Sequence, residues 1–191
     1  MITGLYFGSF NPIHIGHMAI ANFMIEFSEL DQLWFVVSPQ NPLKEKKSLL
    51  KDYHRLEMVR LAVEEDDRLR ASDIEFQLPT PSYTIDTLAY LEEKHPGIEF
   101  QLVMGADGLR TFHKWKHAEL ITQKYHRLIY PRPDTDMNAA SLLPNATVVD
   151  APLMEISSSF IRTAICNGKD VRHLVPAKAY KYMREMHFYE K

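Results

Sequence analysis

Ile2-Thr3-Gly4-Leu5-Tyr6-Phe7, followed by Gly8-Ser9-Phe10-Asn11-Pro12-Ile13-His14-Ile15-Gly16-His17, is the stretch on which the reading of the fold turns. Residues 2–7 are apolar enough for a buried strand. The loop of Gly, Ser, Asn and Pro then leads into a helical pattern, with Ile20, Phe23, Met24 and Phe27 at i, i+3, i+4 and i+7. A strand that passes through such a loop into a helix leaves first-turn N–H groups, and the positive end of the helix dipole, open to an anion. His14 and His17 add two imidazoles three residues apart, close enough to hold neighbouring phosphate oxygens. The spacing is neither the Walker pattern nor the Gly-x-Gly-x-x-Gly fingerprint. A zinc site finds no support, because no cysteine or HExxH motif accompanies the pair. An arbitrary histidine pair is more often structural; its place at a strand-to-helix junction favours the phosphate reading here.

Outward from this stretch the alternation continues. Residues 32–37, 70–74, 98–104, 126–130 and 147–149 read as further strands. Helical spacing recurs over 51–64, 83–95 and 115–124, from a cap at Ser157 and Ser158 to Asn167-Gly168, and over 176–186. Strands alternating with helices predict an α/β fold: a doubly wound, mainly parallel sheet of Rossmann-like topology. It is read as one domain over 1–191, with a small helical C-terminal part from about residue 157. Such sheets bind ligands beyond the C-terminal ends of their strands. Four of the seven glycines, Gly8, Gly16, Gly105 and Gly108, fall in two loops there, where glycine permits positive φ or lets a ligand approach the backbone.

Composition excludes several classes. The 191 residues carry a net charge of −3, no reservoir for coating a polyanion, so nucleic acid is not an expected partner. Apolar residues are 46% and charged residues 25%, which is globular rather than disordered. One cysteine, Cys166, cannot form an internal disulfide, and no redox role is assigned to it. The N-terminus lacks a basic n-region, and no apolar run approaches the ~20 residues of a membrane span. The expectation is a cytoplasmic protein without a membrane partner, its self-association left open. His113 and His117, flanked by Lys114 and Lys116, read as a solvated helix surface rather than a metal pair.

The first loop resembles the (H/T)xGH signature of the nucleotidyltransferase superfamily. Ile156-Ser157-Ser158-Ser159-Phe160-Ile161-Arg162 resembles its second signature, although Ser-Ser-Ser taken alone is better read as an N-cap. Three further segments are similar to bacterial nicotinate-nucleotide adenylyltransferases: Pro81-Ser82-Tyr83-Thr84-Ile85-Asp86-Thr87-Leu88, Met104-Gly105-Ala106-Asp107 with Trp115, and Tyr130-Pro131-Arg132-Pro133. The likeness runs from about residue 3 to about residue 180. It implies transfer of AMP from ATP to nicotinate mononucleotide, giving nicotinate adenine dinucleotide and pyrophosphate in NAD biosynthesis. It also implies direct in-line attack, with Mg²⁺ accompanying ATP and no protein metal ligands. His14, His17 and Arg162 are implied as catalytic residues. Gly8, Ser9, Phe10, Gly16, Lys44, Gly105, Asp107, Arg132, Ser157 and Ser158 are implied around ATP, and Ser82, Tyr83, Thr84 and Trp115 around the mononucleotide.

Residue chemistry agrees with these roles. A helix opening at Pro81-Ser82-Tyr83-Thr84 offers N–H groups to the nicotinate carboxylate. Trp115 offers a flat face to the pyridine ring, with stacking of about 0.5–1.5 kcal/mol by analogy with aromatic pairs. Arg162 is a fixed cation one turn into its helix. There are departures from the family pattern. Pro39-Gln40-Asn41-Pro42-Leu43-Lys44 is one residue shorter than Pro-x-x-Pro-x-His-Lys and lacks the histidine, so Lys44, Lys46 and Lys47 stay open as the basic residue. Asn11 stands where many relatives have aspartate, and Ser159 where threonine is frequent. Two rival functions are a different phosphate acceptor, nicotinamide mononucleotide among them, and a nucleotide-binding regulatory module without activity.

Overall fold

A strand buried on both faces must be apolar at successive positions, and residues 32–37 are such a run. In the computed structural model, which describes residues 1–39, 49–135, 137 and 143–191, it is an inner strand of a six-stranded sheet. The strands are β1 (Ile2–Gly8), β2 (Gln32–Val37), β3 (Leu69–Ser72), β4 (Glu99–Gly105), β5 (Arg127–Tyr130) and β6 (Ala146–Val148). Their order is β3-β2-β1-β4-β5-β6, and every neighbouring pair is parallel. The helices are α1 (Ile15–Phe27), α2 (Asp52–Val63), α3 (Thr84–Lys94), α4 (Leu109–Phe112), α5 (Ala118–Lys124), α6 (Ser158–Cys166) and α7 (Ala177–Glu185).

Alternation along the strands divides the core into two layers. Tyr6, Leu33, Phe35, Val37, Val103, Leu128 and Tyr130 face one side with Ile20, Met24, Val59, Ile161 and Met183 of α1, α2, α6 and α7. Leu5, Trp34, Val36, Leu102, Met104 and Ile129 face the other, against Leu88 and Leu91 of α3 and Ile121 of α5. The helices of the C-terminal part therefore extend the first layer. Among the described residues no helix is long and apolar enough to cross a membrane.

Two expected elements differ in detail. The helix expected over 115–124 begins at Ala118, because His117 at its start takes a left-handed conformation (φ 53°) that interrupts any continuous helix. His113 and His117 accordingly sit between α4 and α5, in a turn and not on one helical face. The strand expected over 70–74 is Leu69–Ser72, and Ile74 opens a short 3₁₀ helix, Ile74–Gln77.

The strand order reverses between β1 and β4, and a crevice opens beyond their ends, at Gly8 and Gly105. The loops around it are held by one residue of α2. Arg55 is fully buried with no exposed surface. Its guanidinium donates to the carbonyls of Leu50 (3.0 Å), Ser9 (2.6 Å), Ser38 (2.8 Å) and Pro39 (3.0 Å). It ties the loop after β1 to the exit of β2 and the approach to α2. Burial lowers its pKa, with the Asp52 charge acting the other way. Arg55→Met would leave these acceptors without their donor, and each buried unsatisfied group costs about 1–3 kcal/mol. The expected loss is on the order of 3 kcal/mol or more, read as a lower urea midpoint; an unchanged midpoint would show that the clamp carries no stability.

Candidate active site

The crevice is a cavity of about 400 Å³. Its wall joins both ends of the chain: Gly8 to Asn11, His14, Gly16 and His17 from the first loop and α1; Gly105 and Asp107 after β4; Trp115; Arg132 after β5; Ser157, Ser158 and Arg162 at α6. Of the sequence-predicted residues, these share one surface. Ser82, Tyr83 and Thr84 lie outside its lining, at the start of α3. They are joined to the Trp115 segment by Lys116, whose ammonium pairs with Asp86 at 2.8 Å and lies 5.0 Å from the centre of the Tyr83 ring. Lys44, with Lys46 and Lys47, lies outside the described residues.

Of the two uses expected of the site glycines, positive φ is not found. Gly105 has φ −74°, and Gly168, remote from the cavity, is the glycine with positive φ. What the site glycines supply is space for protein side chains. A Cβ on Gly8 would stand 2.8 Å from the Phe10 ring, one on Gly16 3.0 Å from His14 Nδ1, and one on Gly105 2.5 Å from Asp107 Oδ1. The strained backbone belongs instead to Phe10, a buried non-glycine residue at φ 44°. Its ring is locked edge-on against Tyr6, His17 and Phe35, the kind of surrounding that sustains a left-handed residue.

The two histidines are stacked, with ring centres 3.7 Å apart. His14 N–H donates to His17 Nδ1 at 3.2 Å. With Nδ1 accepting, a neutral His17 carries its proton on Nε2 and is a donor there. Burial, and then the positive charge of Arg132, holds the His14 pKa down at about 4. Neutral at pH 7, His14 is ready to gain a proton or donate one hydrogen bond when negative charge enters the cavity.

At α6 the serine hydroxyls are already engaged. Ser157 Oγ caps the helix by accepting the Phe160 N–H (3.2 Å), and Ser158 Oγ donates to the Pro12 carbonyl (2.9 Å). Arg162 donates to the Asn11 carbonyl (2.8 Å) and to Ser159 Oγ (3.2 Å). The cap and the phosphate readings of the serines are thus not alternatives: capping sets the first turn, and that turn presents the N–H groups of Ser158 and Ser159 together with the Arg162 guanidinium. Arg132 is the second cation of the wall, 3.6 Å from Asp107 and bonded to the Met154 carbonyl at 3.2 Å.

Sequence reading missed four residues here. Arg55 had a visible signal, a basic residue on the apolar stripe of Met58, Val59 and Ala62. Tyr6 reads only as a strand residue and Tyr130 only as part of the Tyr130-Pro131-Arg132-Pro133 segment; their hydroxyls meet at 2.9 Å in the cavity wall, and burial raises both pKa values. Glu75, buried beneath the start of α3, accepts from Thr87 Oγ1 at 3.0 Å, and burial raises its pKa. Among the described residues no group of three or more His, Cys, Asp or Glu could hold a metal ion.

A family model described as cytidylyltransferase-like matches residues 5–164. A Flavobacterium johnsoniae protein named probable nicotinate-nucleotide adenylyltransferase is 50% identical over 193 aligned residues, covering 100% of both chains. A Flavobacterium psychrophilum protein of the same name is 51% identical with the same coverage. Among solved structures, Plasmodium falciparum nicotinic acid mononucleotide adenylyltransferase complexed with NaAD is similar in fold. It has a TM-score of 0.82 at 19% identity, covering 98% of this chain and 97% of that one.

The His14 environment has a direct readout. In the ligand-free protein its imidazole is expected to titrate near pH 4, and a bound polyphosphate is expected to raise that midpoint. The unfolded chain takes up this proton near pH 6.5 and the folded one near 4, so stability falls as pH drops through that window, by ~3 kcal/mol for this group. Histidine NMR titration with and without the ligand measures both midpoints; a free-protein midpoint near 6.5 would contradict the buried, neutral state.

Proposed function

The chain belongs to the cytidylyltransferase-like family and, within it, to the nicotinate-nucleotide adenylyltransferases, and from that premise we propose how it transfers AMP from ATP to nicotinate mononucleotide, releasing nicotinate adenine dinucleotide and pyrophosphate. One observation carries the proposal. Two helix N-termini from opposite ends of the chain, α1 with His14 and His17 and α6 with Arg162, converge on a single cavity at the switch point of the sheet.

The triphosphate lies between these helix ends, where N–H dipoles and guanidinium charge favour an anion. The mononucleotide phosphate attacks the α-phosphorus in line, on the side away from the departing pyrophosphate. A phosphate oxygen is a competent nucleophile near neutral pH, so no general base is required and no covalent enzyme intermediate forms. Alignment and charge stabilisation account for the acceleration. His17 Nε2–H and His14 donate to oxygens at the reacting phosphorus, and Arg162, with the first-turn N–H groups of α6, holds the leaving group. Magnesium enters with ATP as part of the substrate and keeps waters and phosphate oxygens as most of its ligands. Gly8, Ser9, Phe10, Gly16, Gly105, Asp107 and Arg132 enclose the ATP side.

At the acceptor end, the Thr84 and Ile85 N–H groups at the start of α3 face the nicotinate carboxylate, and Trp115 stacks on the pyridine ring. Lys116 supports this arrangement by fastening the Trp115 segment to Asp86 on the first turn of α3. An amide in place of the carboxylate loses the charge-assisted part of that contact.

Pyrophosphate release with MgATP is therefore expected to be faster with nicotinate than with nicotinamide mononucleotide; preference for the amide would overturn the acceptor site. ATP binding with no pyrophosphate release in the presence of either acceptor would favour the inactive-module reading. His17→Ala is expected to lower kcat by about 10²–10³-fold in a folded protein, and normal turnover would remove its role. Trp115→Ala is expected to raise KM for the mononucleotide by about 3- to 10-fold and leave KM for ATP nearly unchanged. An equal rise for both substrates would exclude selective stacking.

A further inference from the structure

The end of the chain folds back onto its beginning. After α7, His187 and Tyr189 both take left-handed conformations, φ 53° and 65°, which non-glycine residues hold only when their surroundings impose them. Glu190 pairs with Arg184 and His187 and fastens this turn from outside. Phe188 is buried in the core, against His54 and Tyr182. With Phe188 anchored and Glu190 paired, the Tyr189 ring is directed inward, and its hydroxyl donates to Asn11 Oδ1 at 2.7 Å.

Among the described residues, Asn11 joins three parts of the chain. Its Oδ1 also accepts the Leu50 N–H at 3.3 Å, and its carbonyl takes Arg162 at 2.8 Å. It lines the cavity and is nearly fully buried, and it follows Phe10, the strained residue of the loop. Tyr189 does not line the cavity; its hydroxyl reaches the site by the hydrogen bond to Asn11, and the Arg162 and Arg55 guanidiniums also act on the phenol. The loop that faces the triphosphate is thus held, one residue after its strained position at Phe10, by a hydroxyl 178 residues away.

We propose that Tyr189 is a positioning residue of the nucleotide site: its hydroxyl fixes the Asn11 side chain and, with Arg162 on the Asn11 carbonyl, holds the loop of residues 9–12 in its phosphate-facing conformation. The inference rests on the reading of this cavity as the nucleotide site. It gives the C-terminal turn a part in binding that neither signature contains.

The test is a double-mutant cycle read by calorimetric titration with magnesium and α,β-methylene-ATP, on the full-length wild type, Tyr189→Phe, Asn11→Ala and the double variant. Tyr189→Phe removes one hydroxyl and is expected to weaken binding by about 5- to 10-fold, with kcat lowered and KM for the mononucleotide unchanged. In the Asn11→Ala background it is expected to do nothing further. Asn11→Asp, which keeps an acceptor for the phenol, is expected to restore sensitivity to Tyr189→Phe. Wild-type affinity in Tyr189→Phe overturns the proposal, as do effects that multiply in the double variant. A lowered melting temperature with unchanged affinity and kcat makes Tyr189 merely structural and overturns it too. The cycle is read on binding, so it is separable from the reaction: tight binding without pyrophosphate release from ATP in the presence of any acceptor overturns the adenylyl-transfer reading, while the cycle still decides the role of Tyr189.

Discussion

Parallel pairing of β1 with both β2 and β4 is the constraint from which the rest follows. Connections leaving β1 and β4 go to opposite faces of the sheet, so the space between their C-terminal ends is covered by neither. Both strands end in glycine there; β1 passes through a loop into α1, and β4 into a 3₁₀ turn and the short α4. A cavity bounded by helix N-termini is then a consequence of connectivity, and its preference for anions a consequence of unpaired first-turn N–H groups. The chemistry suits the reaction. Phosphoryl transfer asks little covalent participation of the protein and much alignment of charge.

Holding the cavity rigid is a separate problem, since its walls are loops. Besides the bonds to the Asn11 side chain, the recurring solution is a side chain bonded to a backbone carbonyl. Arg55 binds the carbonyls of Ser9, Ser38, Pro39 and Leu50; Arg162 binds that of Asn11; Ser158 that of Pro12; Arg132 that of Met154. Buried carbonyls outside regular structure need donors, and a guanidinium can satisfy several at once. These bonds act on the backbone of the loops. Arg162 and Arg132 reach such carbonyls while remaining on the cavity wall, and therefore join loop support to ligand charge.

Much of this protein was legible in its sequence, and the misses are instructive. The six strands and the main helices follow from apolar runs and 3.6-residue spacing, signals contained within a dozen residues. The spacing of Ala118 and Ile121 extends a helical pattern back to residue 115, whereas the left-handed His117 starts the helix at Ala118 and leaves Lys116 before it, paired with Asp86 of α3. The glycines fall in the site loops, but not for the positive φ that sequence allows them there. Their missing Cβ atoms make room for Phe10, His14 and Asp107, and such neighbours cannot be named without the fold.

The sequence by itself determined the α/β class, the two phosphate-facing helix starts and the family, because each is written in local periodicity or in a contiguous motif. Only the tertiary structure decided that Arg55 is a buried clamp, that His14 is neutral, and that Tyr189 reaches Asn11. Those properties belong to pairs of residues separated by dozens of positions or more. Burial, which sets a pKa and makes an unpaired carbonyl costly, is a property of the packed molecule, and no stretch of chain carries it alone.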